Sequence, residues 1–232
     1  MSGRWVEVAN GVYARRYVEL DQTLGLVVGD THCLVIDTGT DEVHGASMAA
    51  AVRFVTPLPW TVVITHAHFD HFFGAAAFLP ASVISHERCR SLILAEGERQ
   101  RRVWSAKYRS EGKAEQADRL ASAQLVAPTE VITSQVLLDL GGRTVTLVHP
   151  GPAHTDHDVF VHVPDVDVVF AGDLVEQGAP PSVGPDSYAS DWPAALDRIL
   201  DLRPTVVVPG HGDPVDAEFV RLQRNELARG RR

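Results

Sequence analysis

The segment 62–74, VVITHAHFDHFFG, sets the strongest constraint on how this chain folds. Four side chains with affinity for cations, His66, His68, Asp70 and His71, fall within six residues directly after a β-branched apolar run. Such a run reads as a strand buried on both faces. Four polar groups at its end are costly to bury unless a partner offsets their desolvation. Extended backbone alternates sides, so His66, His68 and Asp70 are expected to project one way where the strand runs out, and His71 another. Two imidazoles on one side grip one cation, and Asp70 and His71 then serve a second beside it. Imidazole and carboxylate are borderline-hard donors that suit zinc, iron or manganese.

A metal site needs further donors from elsewhere in the chain. Three later segments offer them, each directly after a strand-like run: LVHPGPAHTDHDVFV with His149, His154 and His157, VVFAGDLVE with Asp173, and TVVVPGHGDP with His211. His32, His44, His86 and His162 lie outside these segments and are not read as ligands.

The rest of the chain organises around these segments. Its 232 residues, 45% of them hydrophobic, suffice for a sizeable core, and no linker or repeat divides them, so one domain over 1–232 is expected. Early strands are expected in GVYARRYVEL, TLGLVVGD, CLVIDTG, TVVIT and SVISH, and later ones in VLLDL, RTVTLVHP, DVFVHVP, DVVFAGD and TVVVPGHG. Helices are expected in FFGAAAFLP, over 87–125 with interruptions near Gly97 and Gly112, in SDWPAALDRILDL with Ser190 or Asp191 as cap, and in DAEFVRLQRNEL. Strands then helix, twice over, imply two sheets packed face to face with helices outside.

The formal charge of −9 argues against a nucleic-acid or anionic-membrane binder, both of which need a cationic face. The cysteines, Cys33 and Cys89, have no paired ligand spacing, which suits a reducing compartment. With no apolar leader after the N-terminal MSGRW and no long apolar run, the expectation is a soluble cytoplasmic protein acting on a small molecule. Its oligomeric state is not written in the sequence.

THAHFDH, PGPAHT, AGD and PGHG occur in the order and approximate spacing of the metallo-β-lactamase superfamily, which the chain resembles from Asp37 onward. The resemblance implies an α+β fold, the four-layer αββα sandwich of two mixed sheets, with metals in a groove at one edge. It also implies that His66, His68 and His154 hold a first ion. Asp70, His71 and His211 hold a second, and Asp173 bridges them. Asp37, in LVIDTG, matches the family's early Asp-Thr-Gly turn, where a role supporting the ligands and a plain turn role fit equally well.

Two divalent ions, zinc being the expected species with iron or manganese as alternatives, share a water and bring its pKa near neutrality, giving a hydroxide that attacks a carbonyl. Asp70 would orient that hydroxide and pass its proton to the leaving group. The expected enzyme is therefore a dinuclear metallohydrolase of a small ester, lactone, thioester or amide. Alternatives of the same fold are a persulfide dioxygenase with one iron on His154, Asp173 and a motif histidine, a true β-lactamase, and a non-catalytic binding member. Against the β-lactamase stand Asp173, where the best-known subclass has a cysteine, and Glu176, where those enzymes often carry a lysine for the drug's carboxylate. A glyoxalase II type thioesterase would carry an extra C-terminal helical region. The segment 88–119 holds nine of the 21 Lys and Arg residues and either attracts an anionic substrate or forms a solvated helical face. Trp104, Tyr108 and Tyr188 are candidate wall residues.

Overall fold

A computed structural model of the chain describes residues 2–230. Seven strands form the first sheet in chain order: β1 (Gly3–Ala9), β2 (Val12–Tyr17), β3 (Thr23–Val28), β4 (Cys33–Ile36), β5 (Trp60–Val63), β6 (Val83–His86) and β7 (Glu130–Ile132). Pairing is antiparallel from β1 to β4 and parallel from β4 to β7. The second sheet comprises β8 (Gln135–Asp139), β9 (Thr144–Val148), β10 (Phe160–Val163), β11 (Val168–Glu176) and β12 (Val206–His211), in the order β12-β11-β10-β9-β8. Its β11/β12 pair is parallel and the others antiparallel. The helices are α1 (Glu42–Val55), the single turn α2 (Phe69–Phe72), α3 (Glu87–Ser110), α4 (Ala114–Ser122), α5 (Trp192–Asp201) and α6 (Ala217–Arg229). Among the described residues no helix is long and apolar enough to cross a membrane.

The period-two pattern sorts side chains between layers. Leu34, Ile36 and Val63 of the first sheet pack on Val161, Phe170 and Val208 of the second, forming the central core. The opposite side of the first sheet, with Leu26 and Val35, is covered by Met48 of α1, Ile93 of α3 and Leu120 of α4. The outer side of the second sheet is covered by Trp192 and Leu196 of α5 and Val220 of α6. These are the four layers, helix, sheet, sheet and helix, that the strand and helix pattern implies.

Three elements escape the sequence pattern. β1 is half-exposed at a sheet edge and lacks clean alternation. β7 has three residues. α1 buries a face built partly of Gly45 and Ala49 rather than branched side chains, and its start is set by Asp41, whose carboxylate accepts the His44 amide at 2.9 Å. Gly97 does not interrupt α3. A Cβ there would lie 3.0 Å from the Leu125 side chain, so this glycine marks a close approach inside a continuous helix. The break falls at Gly112, in the left-handed region at φ +77°. Asp191 precedes α5, but its side chain accepts from the Ser190 hydroxyl at 3.2 Å and makes no cap bond.

Glycine also permits the contact that seats α1 against the histidine segment. A Cβ on Gly45 would lie 2.2 Å from the Gly74 carbonyl oxygen, and one on Gly74 2.1 Å from that of Thr38. Both obstacles are backbone and cannot rotate away. Gly45→Val is therefore expected to lower stability by about 2–3 kcal/mol, read from the urea midpoint. An unchanged midpoint would mean that α1 slides freely over the segment beneath it.

Candidate metal centre

The ends of several strands open onto one edge of the sandwich. His66 and His68 follow β5, His66 in a bend and His68 in extended backbone at φ −90°, ψ 144°. Alternation stops there. The chain turns into α2, so Asp70 and His71 leave the helical turn side by side rather than on opposite faces of a strand. His154 comes from the loop between β9 and β10, Asp173 from within β11, and His211 ends β12.

Imidazole and carboxylate donors gather here in two groups. Ligand atoms of His66, His68, His154 and Asp173 all lie within 4.8 Å of one another, as do those of Asp70, His71 and His211. Asp173 stands between the groups. Its Oδ2 is 3.6 Å from Nε2 of both His66 and His154 and 3.4 Å from His211 Nε2, while Oδ1 is 3.3 Å from His71 Nε2.

Hydrogen bonds at the far side of the His66, His68, His71 and His211 rings fix which nitrogen carries the proton, while His154 Nδ1 is buried without a partner. The Thr65 hydroxyl donates to Asp37 Oδ2 at 2.7 Å and so accepts from His66 Nδ1 at 3.1 Å, leaving His66 Nε2 with a bare lone pair. His68 Nε2 donates to Asp186 Oδ2 at 2.8 Å, which leaves Nδ1 bare, yet that atom sits 3.0 Å from Nε2 of both His66 and His154. The lone pairs of His66 Nε2 and His68 Nδ1, facing one another at this distance, repel unless a cation lies between them. In the second group His71 Nδ1 donates to Asp37 Oδ2 and His211 Nδ1 to the Leu20 carbonyl, each at 2.8 Å. His71 Nε2 and Asp173 Oδ1 are buried without a hydrogen-bond partner. Both donor sets thus have the composition, tautomers and orphaned atoms that divalent cations satisfy.

The electrostatics agree. Burial holds His66 neutral, far below the ordinary imidazole range, and pushes His154 down to about 4. For His211 burial opposes the charged form, but Asp173 and Asp70 prevail and push it up to about 12. Burial likewise works against ionised Asp173, and His71, His211 and His66 hold it well below the usual carboxylate range. The second group attracts positive charge strongly.

Every sequence-predicted donor is here, His66, His68, Asp70, His71, His154, Asp173 and His211, and Asp37 supports a ring from each group. His154 is 2% exposed, not an open loop residue. His157 accepts the Ala67 amide at 3.1 Å through Nε2 and so braces the histidine segment. His149 stacks on His86 with centroids 4.1 Å apart, away from the donors. Several supports went unread in sequence. They are Asp186, the Leu20 carbonyl, Gln22, whose amide donates to the Asp70 carbonyl, and Gln100, whose amide donates to that of Ala67 at 2.7 Å. Their one signal is position in loops or helices that only folding brings near.

A cleft of about 520 Å³ opens over the donors. One wall is the 182–186 loop, and the other comes from α2 and α3, where Phe69 and Trp104 stack with centroids 4.1 Å apart. Lys107 and Lys113 stand at the rim, with the Lys107 ammonium 4.5 Å from the Trp104 ring centroid. Much of the basic segment faces elsewhere and is neutralised, as in Arg88 with Asp156, Arg101 with Glu98 and Arg109 with Asp118. Trp104 and Tyr108 line the cleft. Tyr188 does not, its hydroxyl lying 3.5 Å from Asp156. Glu176 is turned away too, both carboxylate oxygens accepting from Ser182.

An αββα sandwich with histidines and aspartates at one edge defines a class of metal-dependent hydrolases. A family model described as the metallo-beta-lactamase superfamily matches residues 18–211, and the chain belongs to that superfamily as one of its metallohydrolases. It is 31% identical over 222 residues to the acyl-coenzyme A thioesterase MBLAC2 of Homo sapiens, covering 88% of this chain and 78% of that protein. It is 24% identical over 218 residues to metallo-beta-lactamase type 2 of Bacillus cereus, covering 91% and 74%. The solved metallo beta lactamase from Hirschia baltica shares the fold, with a TM-score of 0.76 at 16% identity over 98% of each chain.

Proposed function

We propose that this protein hydrolyses thioesters with the help of two divalent cations, zinc being the species that best suits the donors. His66, His68 and His154 would hold one ion, Asp70, His71 and His211 the other, with Asp173 between them. The observation that carries the reading is the meeting of two complete donor sets at Asp173 on the floor of an aromatic cleft. When bound, such a pair lowers the pKa of a shared water toward neutrality and polarises the scissile carbonyl. In the reaction the water's oxygen forms a bond to the carbonyl carbon, the C–S bond breaks, and the thiolate leaves.

The chain's own residues do the positioning. Asp70, 7% exposed and 3.3 Å from His211 Nε2, lines the cleft as an acceptor. Burial resists its ionisation, but His71 and His211 keep it a carboxylate, able to orient the water and hand its proton to the departing group. The 31% identity to a thioesterase favours this substrate class. Phe69 and Trp104 offer an apolar wall, and Lys107 offers positive charge to an anionic carrier such as coenzyme A, whereas Lys113 is paired with Glu111 at 2.8 Å. The presence of Asp70, His71 and His211 together weighs against a single-iron dioxygenase.

Metal analysis with a substrate panel tests the proposal. The expected result is about two zinc equivalents per chain, with coenzyme A thioesters cleaved faster than lactams, lactones or phosphodiesters. One iron equivalent, or preferential lactam cleavage, would overturn it. The rim gives a finer prediction: Lys107→Glu raises KM for a coenzyme A thioester roughly 3- to 10-fold, because an exposed charge contributes modestly and reversal doubles the effect. KM for a short uncharged thioester should not move, and the difference should shrink in high salt.

A further inference from the structure

We propose that Glu176 is a positioning residue, whose carboxylate fastens the loop after β11 so that Asp186 meets His68 and residues 182–186 form the cleft wall. The inference rests on reading His68 as a metal ligand. Glu176 ends β11, three residues after Asp173, and is 5% exposed. Its Oε1 accepts the Ser182 amide and its Oε2 the Ser182 hydroxyl, each at 2.8 Å, closing a ring across six residues. The anchor is itself held, since the Glu176 amide donates to Gln223 Oε1 at 3.2 Å and the Gln223 amide to the Leu174 carbonyl at 2.8 Å.

The loop has few other ties. Its ends are stapled where the Gln177 amide meets the His211 carbonyl at 2.8 Å and the Tyr188 amide meets that of Ala153 at 2.7 Å. Between them, among the described residues, the hydrogen bonds joining 178–187 to the rest of the molecule are those of Ser182 with Glu176 and of Asp186 with His68. Gly184 and Ser187 bond each other, shaping the turn that presents Asp186. Among the described residues Glu176 forms no ion pair, and a buried carboxylate without one is expensive. Holding Ser182 gives it a reason to be there, and explains why it does not reach into the cleft to repel an anionic substrate.

The substitutions separate the fastening from the charge. Glu176→Gln retains an acceptor for the Ser182 amide and offers a donor to the hydroxyl, so it keeps both bonds. Glu176→Leu keeps neither, and Ser182→Ala loses one. Backbone hydrogen exchange at 182–186 should quicken at least tenfold in Glu176→Leu, less in Ser182→Ala, and stay near the parent rate in Glu176→Gln. With the Asp186 contact loosened, a chelator should strip one of the two zinc equivalents roughly 10- to 100-fold faster from Glu176→Leu. In excess zinc that variant should raise KM for a thioester several-fold while kcat stays within about threefold. If Glu176→Gln proves as impaired as Glu176→Leu, or if exchange in Glu176→Leu is unchanged, the inference fails. Should Glu176→Leu not fold, the exchange rate of Ser182→Ala against Glu176→Gln decides the matter. Exchange is read without metal or substrate, so failure of the hydrolase reading would show separately, as a parent protein that binds no zinc.

Discussion

His154→Ala is expected to lose hydrolysis by on the order of 1,000-fold or more, because water's pKa falls from about 15.7 toward 7 only on a properly coordinated cation. Metal content should drop from about two equivalents to about one. The ring's Nε2 lies 3.0 Å from His68 Nδ1 and 3.6 Å from Asp173 Oδ2, so its removal opens one corner of the first donor set and leaves the second whole. The ring is also buried, in edge contact with Trp192 at 5.3 Å between centroids. Truncation leaves a small void, costing about 1–3 kcal/mol, visible as a lowered thermal midpoint with an unchanged far-ultraviolet spectrum. Two equivalents of metal in the variant would refute the donor grouping.

Asp70→Asn is expected to slow turnover by about 100- to 10,000-fold while retaining more metal than His154→Ala, since its amide oxygen still ligates. The loss should depend on the leaving group. A thiol, with a pKa near 8.5, departs as thiolate with little help, whereas an alkoxide needs the proton that Asp70 would deliver. The variant should therefore lose more against an oxygen ester than against the matching thioester. Equal losses would confine Asp70 to holding metal and remove its part in proton transfer.

Much of the site was legible because its donors are covalently local or motif-bound: His66, His68, Asp70 and His71 share one segment, and His154, Asp173 and His211 each follow an apolar run. The two-sheet architecture was legible because β-branched apolar runs bounded by turn residues mark strands buried on both faces, as β4 and β11 are. What alternation could not give was the turn into α2, where the four aromatic or charged side chains Phe69 to Phe72 form a single helical turn. α1 was hidden because small residues bury a face without an apolar stripe. Asp186 and Leu20 contribute through a carboxylate and a backbone carbonyl delivered by loops about 118 and 191 residues from their partners, and no local pattern encodes such distances. The basic segment divided between the two readings, with Lys107 at the cleft, Lys113 there but paired with Glu111, and several arginines paired on the surface.

Asp37 sits in left-handed backbone at φ +60°. One of its oxygens takes both the Thr65 hydroxyl and His71 Nδ1, and that hydroxyl in turn receives the proton of His66. A single carboxylate therefore dictates the protonation pattern of a ring in each half of the centre. The halves share a common foundation and cannot drift apart independently: any sequence change that tilts this turn detunes both together.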